Sequence, residues 1–315
     1  MDDSKLFLGK SSRDAYGIAL LNQAEQDQRI IAITADVPDS VRFTKFREKW
    51  PERFFNFGIA EQNMMGAAAG FAREGKIPFV SVYAIFAALR ALEQVRTDIA
   101  YPNLPVRICT THSGISLGQA GPSHHSIEDI GVMRSIFNMV VMAPADGIAT
   151  AMALESIKDH PGPVYMCLSR AVEPLVYRSK STYKIGKANV LREGKDITIM
   201  AFGASVGNAL IAADILTDEG IQAGVVDMAY IKPLDKEAVI KAAKTTGRIL
   251  TVEEHNLVNG LGSAVAEVIA ESSLNTSFKR LALPDQHTLA GPYPDLQKIY
   301  ALDSNGIAET ARNML

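Results

Sequence analysis

The sequence is poor in cysteine, has no excess of positive charge and contains no long apolar run. Its two cysteines, Cys109 and Cys167, lie inside apolar stretches, so a disulfide framework is excluded and reduced core thiols in a reducing compartment are expected. The net charge of -3 gives no basic footprint for nucleic acid. No apolar run reaches the roughly 18 residues of a membrane span. The N-terminus shows no signal-peptide pattern, and a cytoplasmic protein without membrane contact is therefore expected.

What the sequence does contain is an alternation of short apolar runs with helical patterns. Strands are predicted for the apolar runs at 29–36, 54–58, 77–82, 106–112, 139–144 and 164–170. Helices are predicted between them, at 12–25, 61–73, 86–99, 127–134 and 146–158, and again near 205–218, 235–244 and 261–272. This alternation is typical of the α/β class, in which parallel or mixed sheets are covered by helices on both faces.

The length suggests about two domains, and the composition shows where they divide. We predict a first three-layer α/β domain at 1–178, a polar linker at 179–195 and a second such domain at 196–315. In such sheets, ligands gather at the carboxyl ends of strands. Three polar residues stand at the ends of predicted strands: Asp36, His112 and Arg170.

One carboxylate stands alone in the apolar stretch FGIAEQNMMGAAAGFA. This residue is Glu61, and its nearest cationic neighbours in the sequence are Arg53 and Arg73. Burying an unpaired carboxylate is costly, so Glu61 must be exposed, protonated or bonded to a partner. A water-exposed glutamate at a helix start, favoured by the helix dipole, is the ordinary alternative to a functional role.

A second candidate region is TTHSGISLGQAGPSHHSIED, which holds three of the six histidines of the chain, His112, His124 and His125. The SIED segment that begins at Ser126 has the form of a helix capping box. A histidine cluster also suggests zinc, although no cysteine or glutamate stands at a usual ligand spacing. A flexible loop that holds histidines beside a cleft for a polar substrate fits this pattern better than a metal site.

A third pattern is the spacing of Tyr83, Phe86 and Leu89 by three residues. Such spacing is most often the buried stripe of a helix. The functional alternative is an aromatic wall on which a planar ring stacks.

These motifs together resemble the transketolase family. The resemblance is carried by AEQNM, GPSHH, MRSIFNMVVMAPAD and the LSR that ends the first predicted domain. It extends along essentially the whole chain, which is similar to the pyrimidine-binding and C-terminal domains of transketolase. The same two domains occur in deoxyxylulose phosphate synthase and in the beta subunit of 2-oxo acid dehydrogenases. The resemblance implies thiamine diphosphate as cofactor, with Mg²⁺.

The resemblance also assigns cofactor-binding residues. It implies that Glu61 hydrogen-bonds N1′ of the aminopyrimidine ring, which promotes the imino tautomer of the 4′-amino group, the group that removes the thiazolium C2 proton. Tyr83 and Phe86 match aromatic residues around the pyrimidine, and Leu89 stands where many members have tyrosine. Two further residues match the stretch that meets the cofactor from the partner side: Asp36 and Val37.

The resemblance likewise assigns substrate-binding residues. It implies that His112 and His124 hold hydroxyl groups of the donor sugar and assist proton transfer. Arg13, Ser40 and Arg170 match residues that bind the sugar phosphate, and a pair of arginines suits a dianion.

The sequence departs from the family pattern in the loop around Ala120 and in the absence of one motif. The sequence GQAGPSH places Ala120 where transketolases have the acid of GEDGPTH, and His125 replaces the usual glutamine. Ala120 therefore suggests a donor sugar with different stereochemistry, branching or substitution. The GDG motif that holds the diphosphate and Mg²⁺ is also missing, and no metal-binding residue is assigned to this chain.

The missing motif implies a separate N-terminal subunit that carries GDG. We expect a heterotetramer built around a dimer of this chain, because active sites of the family lie between subunits. His255 in EEHN is the best polar candidate of the second domain, either at an interface or in an ordinary core or capping role.

Three functions remain open at this point. The first is the transfer of a two-carbon ketol unit from a ketose phosphate to an aldose by a two-subunit transketolase, including one for an unusual sugar. The second is the beta subunit of a 2-oxo acid dehydrogenase, in which a lipoyl arm takes the acyl unit. The third is a non-catalytic scaffold. The GPSHH loop and Arg13 favour a sugar substrate.

Overall fold

The computed structural model describes residues 4–315 and contains two sheets. The first sheet has seven strands in the order β10-β5-β6-β4-β3-β1-β2. Six of them come from the first predicted domain: β1 (Ile30–Thr34), β2 (Phe54–Asn56), β3 (Ile77–Ser81), β4 (Arg107–Thr110), β5 (Val140–Met142) and β6 (Val164–Cys167). These six strands pair in parallel, so their carboxyl ends meet at one edge of the sheet.

Helices cover both faces of this sheet. They are α1 (Ser12–Gln26), α2 (Thr44–Lys49), α3 (Glu61–Arg73), α4 (Leu92–Gln94), α5 (Asp129–Ser135) and α6 (Gly147–Ile157). Strand β1 shows the reason for two covered faces, because all five of its residues are buried. Its Ile30 packs in a core that includes α1 and α6, and its Ile31 packs in a second core that includes α3.

The second sheet has five strands in the order β12-β11-β8-β9-β7. Its strands are β7 (Asn189–Arg192), β8 (Ile197–Ala201), β9 (Ala223–Asp227), β11 (Arg248–Asn256) and β12 (Ser277–Leu283). The accompanying helices are α7 (Ser205–Asp218), α8 (Lys236–Thr246), α9 (Leu261–Glu271), α10 (Tyr293–Ile299) and α11 (Ser304–Arg312). The predicted class of two α/β units with parallel or mixed sheets is confirmed. None of the helices within residues 4–315 is long and apolar enough to cross a bilayer.

Two strands cross the divisions that the sequence suggested. β7 lies inside the segment predicted as a linker and pairs antiparallel with β9. β10 (Tyr230–Lys232) comes from the second half of the chain, yet it pairs antiparallel with β5 at the edge of the first sheet. The two units are therefore joined by backbone hydrogen bonds as well as by side-chain packing.

The expected capping box at Ser126 is not formed, and α5 begins at Asp129 without a side-chain cap. Ser126 is held instead in a β-bridge with Gly114. Asp129 is buried and accepts hydrogen bonds from the Tyr165 hydroxyl at 2.6 Å and the Cys167 thiol at 3.0 Å. Both cysteines are free and buried, as predicted.

His255 has a core role. Its side chain is 1% exposed, and its Nε2 accepts a hydrogen bond of 3.1 Å from the Gly131 amide. The contact ties β11 of the second sheet to α5 of the first unit.

Candidate active site

The aromatic part of the candidate site lies where β3 and β4 end. A parallel β-bridge joins Tyr83 to Thr111 just beyond the two strands, and the rings of Tyr83 and His112 lie 4.1 Å apart. Phe86 stacks near Tyr83, with ring centroids 6.0 Å apart and planes 22° from parallel. The His124 ring meets Phe86 edge-on at 5.4 Å. The structure thus brings four predicted site residues together. We call them the ring cluster: Tyr83, Phe86, His112 and His124.

Phe86 and Leu89 belong to a π-helical segment, Phe86–Arg90, where the sequence predicted a regular helix. A second π-helical segment, Val95–Ala100, follows α4. Such segments often occur at functional sites. Tyr83 and Phe86 are only partly buried, and Leu89 is 45% exposed. The three residues therefore do not form a buried core stripe.

Glu61 is buried and bonded to a partner. It is the first residue of α3, its side chain is 2% exposed, and its Oε1 accepts a hydrogen bond of 2.7 Å from Arg90 Nη1. Its other oxygen, Oε2, is buried and has no hydrogen-bond partner among residues 4–315. A water-exposed helix start is therefore excluded for Glu61. The carboxylate has one oxygen fixed by a cation and one oxygen available.

Arg90 is a site residue that sequence reasoning missed. It lies 29 positions from Glu61, whereas the sequence neighbourhood of the glutamate points only to Arg53 and Arg73 as cationic partners. Its place immediately after Leu89, in the segment already considered for ring stacking, is the signal that could have revealed it.

A second group of polar contacts adjoins the ring cluster. Arg13 Nη1 donates to the Ser40 carbonyl oxygen at 3.2 Å and faces His112 Nε2 at 3.5 Å. The Tyr83 hydroxyl donates to Ser40 Oγ at 3.1 Å. Among the predicted substrate-binding residues, Arg13 therefore contacts both Ser40 and His112.

His112 sits in a special backbone position with a φ of 65°. Its side chain is buried, and Thr111 Oγ1 lies 2.8 Å from its Nδ1. Burial, reinforced by the positive charges of Arg13 and Arg170, lowers the pKa of His112 from 6.5 to about 3. The imidazole is thus neutral near pH 7 and faces a cationic surface.

Arg170 follows β6 and is exposed. With Arg13 it lines a cleft of about 500 Å³. The opposite wall of the cleft comes from the second unit and includes Asn208 and Gln297. Two cationic side chains thus flank one open space beside His112, as a site for a dianionic ligand requires.

Asp36 and Val37 lie at the same edge of the sheet, beyond the end of β1. Asp36 is exposed, has a φ of 60°, and its amide donates to Asn56 Oδ1 at 2.8 Å. Val37 is partly buried. The Asp36–Asn56 hydrogen bond lies on the β1–β2 side of the sheet, and Val37 packs against the cores on both faces of the sheet.

The adjacent histidines His124 and His125 point in different directions. His124 belongs to the ring cluster, and Ser123 Oγ lies 2.9 Å from its Nδ1. His125 is buried and contacts Thr288 of the second unit at 2.6 Å. Across residues 4–315, no group of three or more His, Cys, Asp or Glu side chains is placed to hold a metal ion.

Two family descriptions match the chain along most of its length. The pyrimidine-binding domain of transketolase matches residues 9–174, and the C-terminal domain of transketolase matches residues 186–307. The chain belongs to the transketolase family.

Individual relatives agree with this transketolase assignment. The chain is 43% identical over 302 residues to a putative transketolase C-terminal section of Methanocaldococcus jannaschii, with 95% of both chains covered. It is 40% identical to one of the subunits of the apulose-4-phosphate transketolase of Phocaeicola vulgatus, over 95% of this chain and 96% of that protein. A solved split-gene transketolase, described as an inactive beta4 tetramer, is 41% identical, with a TM-score of 0.90 and coverage of 98% and 99%.

Membership of the transketolase family implies dependence on thiamine diphosphate, and the residues of this chain fit the pyrimidine half of that cofactor. Glu61 Oε2 is a buried acceptor without a partner among the described residues, which suits the ring nitrogen of an aminopyrimidine. Phe86 and Tyr83 provide aromatic faces, and Arg90 contacts both Phe86 and Glu61. The described residues offer no comparable set of acids for Mg²⁺ and the diphosphate.

Proposed function

We propose that this chain is the C-terminal subunit of a two-subunit transketolase, which transfers a two-carbon ketol unit from a ketose phosphate to an aldose. The observation that carries the proposal is the state of Glu61. The carboxylate is 2% exposed, with Oε1 held by Arg90 and Oε2 left without a partner within residues 4–315. A buried acceptor without a donor is costly in a folded protein, and such exceptions mark functional positions.

The proposed role of Glu61 is to hold and share a proton with N1′ of the aminopyrimidine. When bound, thiamine diphosphate supplies the electron sink for carbon–carbon bond cleavage next to a carbonyl group. Phe86 and Tyr83 hold the pyrimidine ring by stacking, Leu89 is the aliphatic member of the same wall, and Asp36 and Val37 meet the cofactor from the partner side. The ring cluster lies at the end of one sheet, where the pairing of β3 with β4 fixes the backbone that carries it.

The proposed role of the arginines is to hold the phosphate group of the donor. Arg13 and Arg170 flank one cleft, and Ser40 lies within contact of Arg13. His112, neutral near pH 7, is proposed to lie beside a sugar hydroxyl without adding charge to the site. His124, on the other side of Tyr83 and Phe86, is placed to contact donor hydroxyls and to assist proton transfer.

The proposed partner is an N-terminal transketolase subunit that carries the GDG motif and supplies most ligands for Mg²⁺ and the diphosphate. We expect a heterotetramer with a dimer of this chain, in the cytoplasm. The relative from P. vulgatus is named as one subunit of its transketolase, which supports a divided enzyme. The solved split-gene relative, described as an inactive beta4 tetramer, supports self-association of such chains.

A reconstitution experiment tests this function. The chain is mixed with its GDG-containing subunit, thiamine diphosphate, Mg²⁺ and a panel of ketose phosphates, with an aldose as acceptor. Ketol transfer by the wild type, its loss in Glu61→Ala, and its retention in Glu271→Ala are the expected results. Glu271 is a matched control because it is an exposed glutamate of the second unit. Near-normal rates in Glu61→Ala would contradict the assignment.

The same experiment separates the alternatives. A requirement for lipoamide and coenzyme A would instead support the beta subunit of a 2-oxo acid dehydrogenase, and inactivity in every mixture would support a scaffold. The panel includes branched and substituted ketose phosphates because Ala120, exposed at the end of a short 3-10 turn, offers no carboxylate to a donor hydroxyl.

A further inference from the structure

The Arg90 guanidinium contacts two of the groups that the proposed function assigns to the pyrimidine ring, Glu61 and Phe86. Its Nη1 donates to Glu61 Oε1 at 2.7 Å, and its Cζ lies 4.1 Å from the centroid of the Phe86 ring. Phe86 and Arg90 are the first and last residues of the π-helical segment, so they lie nearly one turn apart on the same side. One flat cation therefore sits on the aromatic face and on the carboxylate together.

A guanidinium and an aminopyrimidine share the features that this place recognises. Both are planar, both present N–H groups in the plane to a carboxylate, and both stack on aromatic rings. A separation of 4.1 Å is a direct stacking contact, which leaves no room for a second ring on that face of Phe86. We propose that Arg90 occupies the place of the aminopyrimidine ring in the cofactor-free chain and must leave it before thiamine diphosphate binds. This inference rests on the proposed function.

The exposure of the two partners explains why Arg90 can move whereas Glu61 cannot. The Arg90 side chain is 46% exposed, but that of Glu61 is 2% exposed. Arg90 can therefore turn into water and keep its charge solvated, whereas Glu61 stays in place at the start of α3. The contact keeps one oxygen of a buried carboxylate paired until the cofactor arrives, at the cost of a weaker apparent affinity for that cofactor.

Calorimetry on the reconstituted complex tests the inference without reference to turnover. Thiamine diphosphate is titrated, in the presence of Mg²⁺, into complexes of the GDG-containing subunit with wild type, Arg90→Ala or Arg96→Ala. We expect Arg90→Ala to lower the apparent Kd by roughly tenfold, since the guanidinium no longer covers the Phe86 ring face. Arg96→Ala is the matched control, because Arg96 is an exposed arginine of the next π-helical segment and lies 5.9 Å from the Phe137 ring.

The opposite results overturn the inference. An unchanged or higher Kd in Arg90→Ala would mean that Arg90 does not compete with the cofactor. If the Arg90→Ala complex does not assemble, Arg90→Gln replaces it, because glutamine keeps a neutral donor near Glu61 but removes the cation on the Phe86 ring. The apparent Kd of the Arg90→Gln complex for thiamine diphosphate is likewise expected to be lower than that of the wild type. A Glu61→Ala complex separates the two proposals, because wild-type affinity in that variant would refute the proposed function whatever Arg90 does.

Discussion

Arg13 Nη1 and His112 Nε2 lie 3.5 Å apart, and a guanidinium can only donate hydrogen bonds. His112 Nε2 therefore faces Arg13 as an unprotonated acceptor, and the ring proton resides on Nδ1, 2.8 Å from Thr111 Oγ1. The neutral imidazole is the form that burial and the surrounding cations favour. The contacts of His112 therefore favour a neutral ring with its proton on Nδ1.

The first prediction concerns the titration of His112. Its pKa in the folded chain is about 3, below the ordinary 6.5, so the unfolded chain binds more protons between these two pH values. The contribution of His112 to stability is therefore complete above about pH 6.5 and is lost as the pH falls toward 3. Histidine NMR titration of the isolated chain should show a neutral His112 ring down to about pH 4.

Two variants test the cause of this shift. Arg13→Gln removes the nearest cation and should raise the pKa of His112, although burial keeps it below 6.5. As the pH falls from 6.5 to 3, the free energy of unfolding of His112→Asn, measured in urea, should decrease less than that of the wild type. A wild-type His112 that titrates near 6.5 would refute the buried, cation-facing geometry.

The second prediction concerns the phosphate group of the substrate. Arg170→Ala should raise KM for a ketose phosphate by roughly tenfold or more, because one charge-assisted contact is lost. It should leave KM for the corresponding unphosphorylated ketose unchanged, and stability should change little since Arg170 is exposed. Arg178→Ala, a change at another exposed arginine, is the control. Equal effects on both substrates would show that Arg170 does not bind the phosphate.

The sequence was sufficient to predict the features that depend on local pattern. Strand β1 and helix α3 agree with the predicted runs, because continuous apolar residues and an alanine-rich periodic segment have distinct signatures. The gathering of Tyr83 and His112 also follows from the rule that carboxyl ends of parallel strands share one edge. The prediction that Glu61 and His124 belong to the site depended on the resemblance to a family motif as well.

The remaining features depend on tertiary structure. The pairing of Arg90 with Glu61 joins residues on separate elements, and no periodicity reports which elements become neighbours. The π-helical register of Phe86–Arg90 is a choice of hydrogen-bond partner with no residue signature of its own. β10 (Tyr230–Lys232) has only three residues close behind β9, so its pairing with a strand of the other sheet was not visible in the sequence.

The third prediction concerns the junction between the two units. His125 Nε2 lies 3.0 Å from the Gly118 carbonyl oxygen, which can only accept, so this nitrogen carries the proton. His125 Nδ1 then accepts from the Thr288 hydroxyl at 2.6 Å. His125→Leu leaves the buried Thr288 hydroxyl without its acceptor and removes one of the donors to the Gly118 oxygen, and should lower the free energy of unfolding by about 1–3 kcal/mol.

A double-mutant cycle checks this assignment. Thr288→Val removes only the hydroxyl and should destabilise the wild type by about 1 kcal/mol, but should have a smaller effect in the His125→Leu background. The free energies of all four proteins are measured by urea unfolding. Additive effects would show that the two side chains do not interact. Because His125 adjoins His124, the kcat of the reconstituted His125→Leu enzyme should also fall, as the loop loses its anchor.

The fourth prediction concerns the Glu61–Arg90 pair in the chain without cofactor. Among the described residues, Arg90 is the only hydrogen-bond partner of the Glu61 carboxylate, which is 2% exposed. Arg90→Ala should therefore destabilise the isolated chain at pH 7 by about 1–2 kcal/mol. The expected loss is this small because Arg90 is half-exposed and its charge is screened by water. In a Glu61→Gln background no buried charge is left without a partner, so the same substitution should cost less than about 0.5 kcal/mol. Urea unfolding of the four proteins gives the coupling energy. A coupling near zero would mean that Arg90 spends its time in solvent, which would also remove the reason for it to compete with the cofactor.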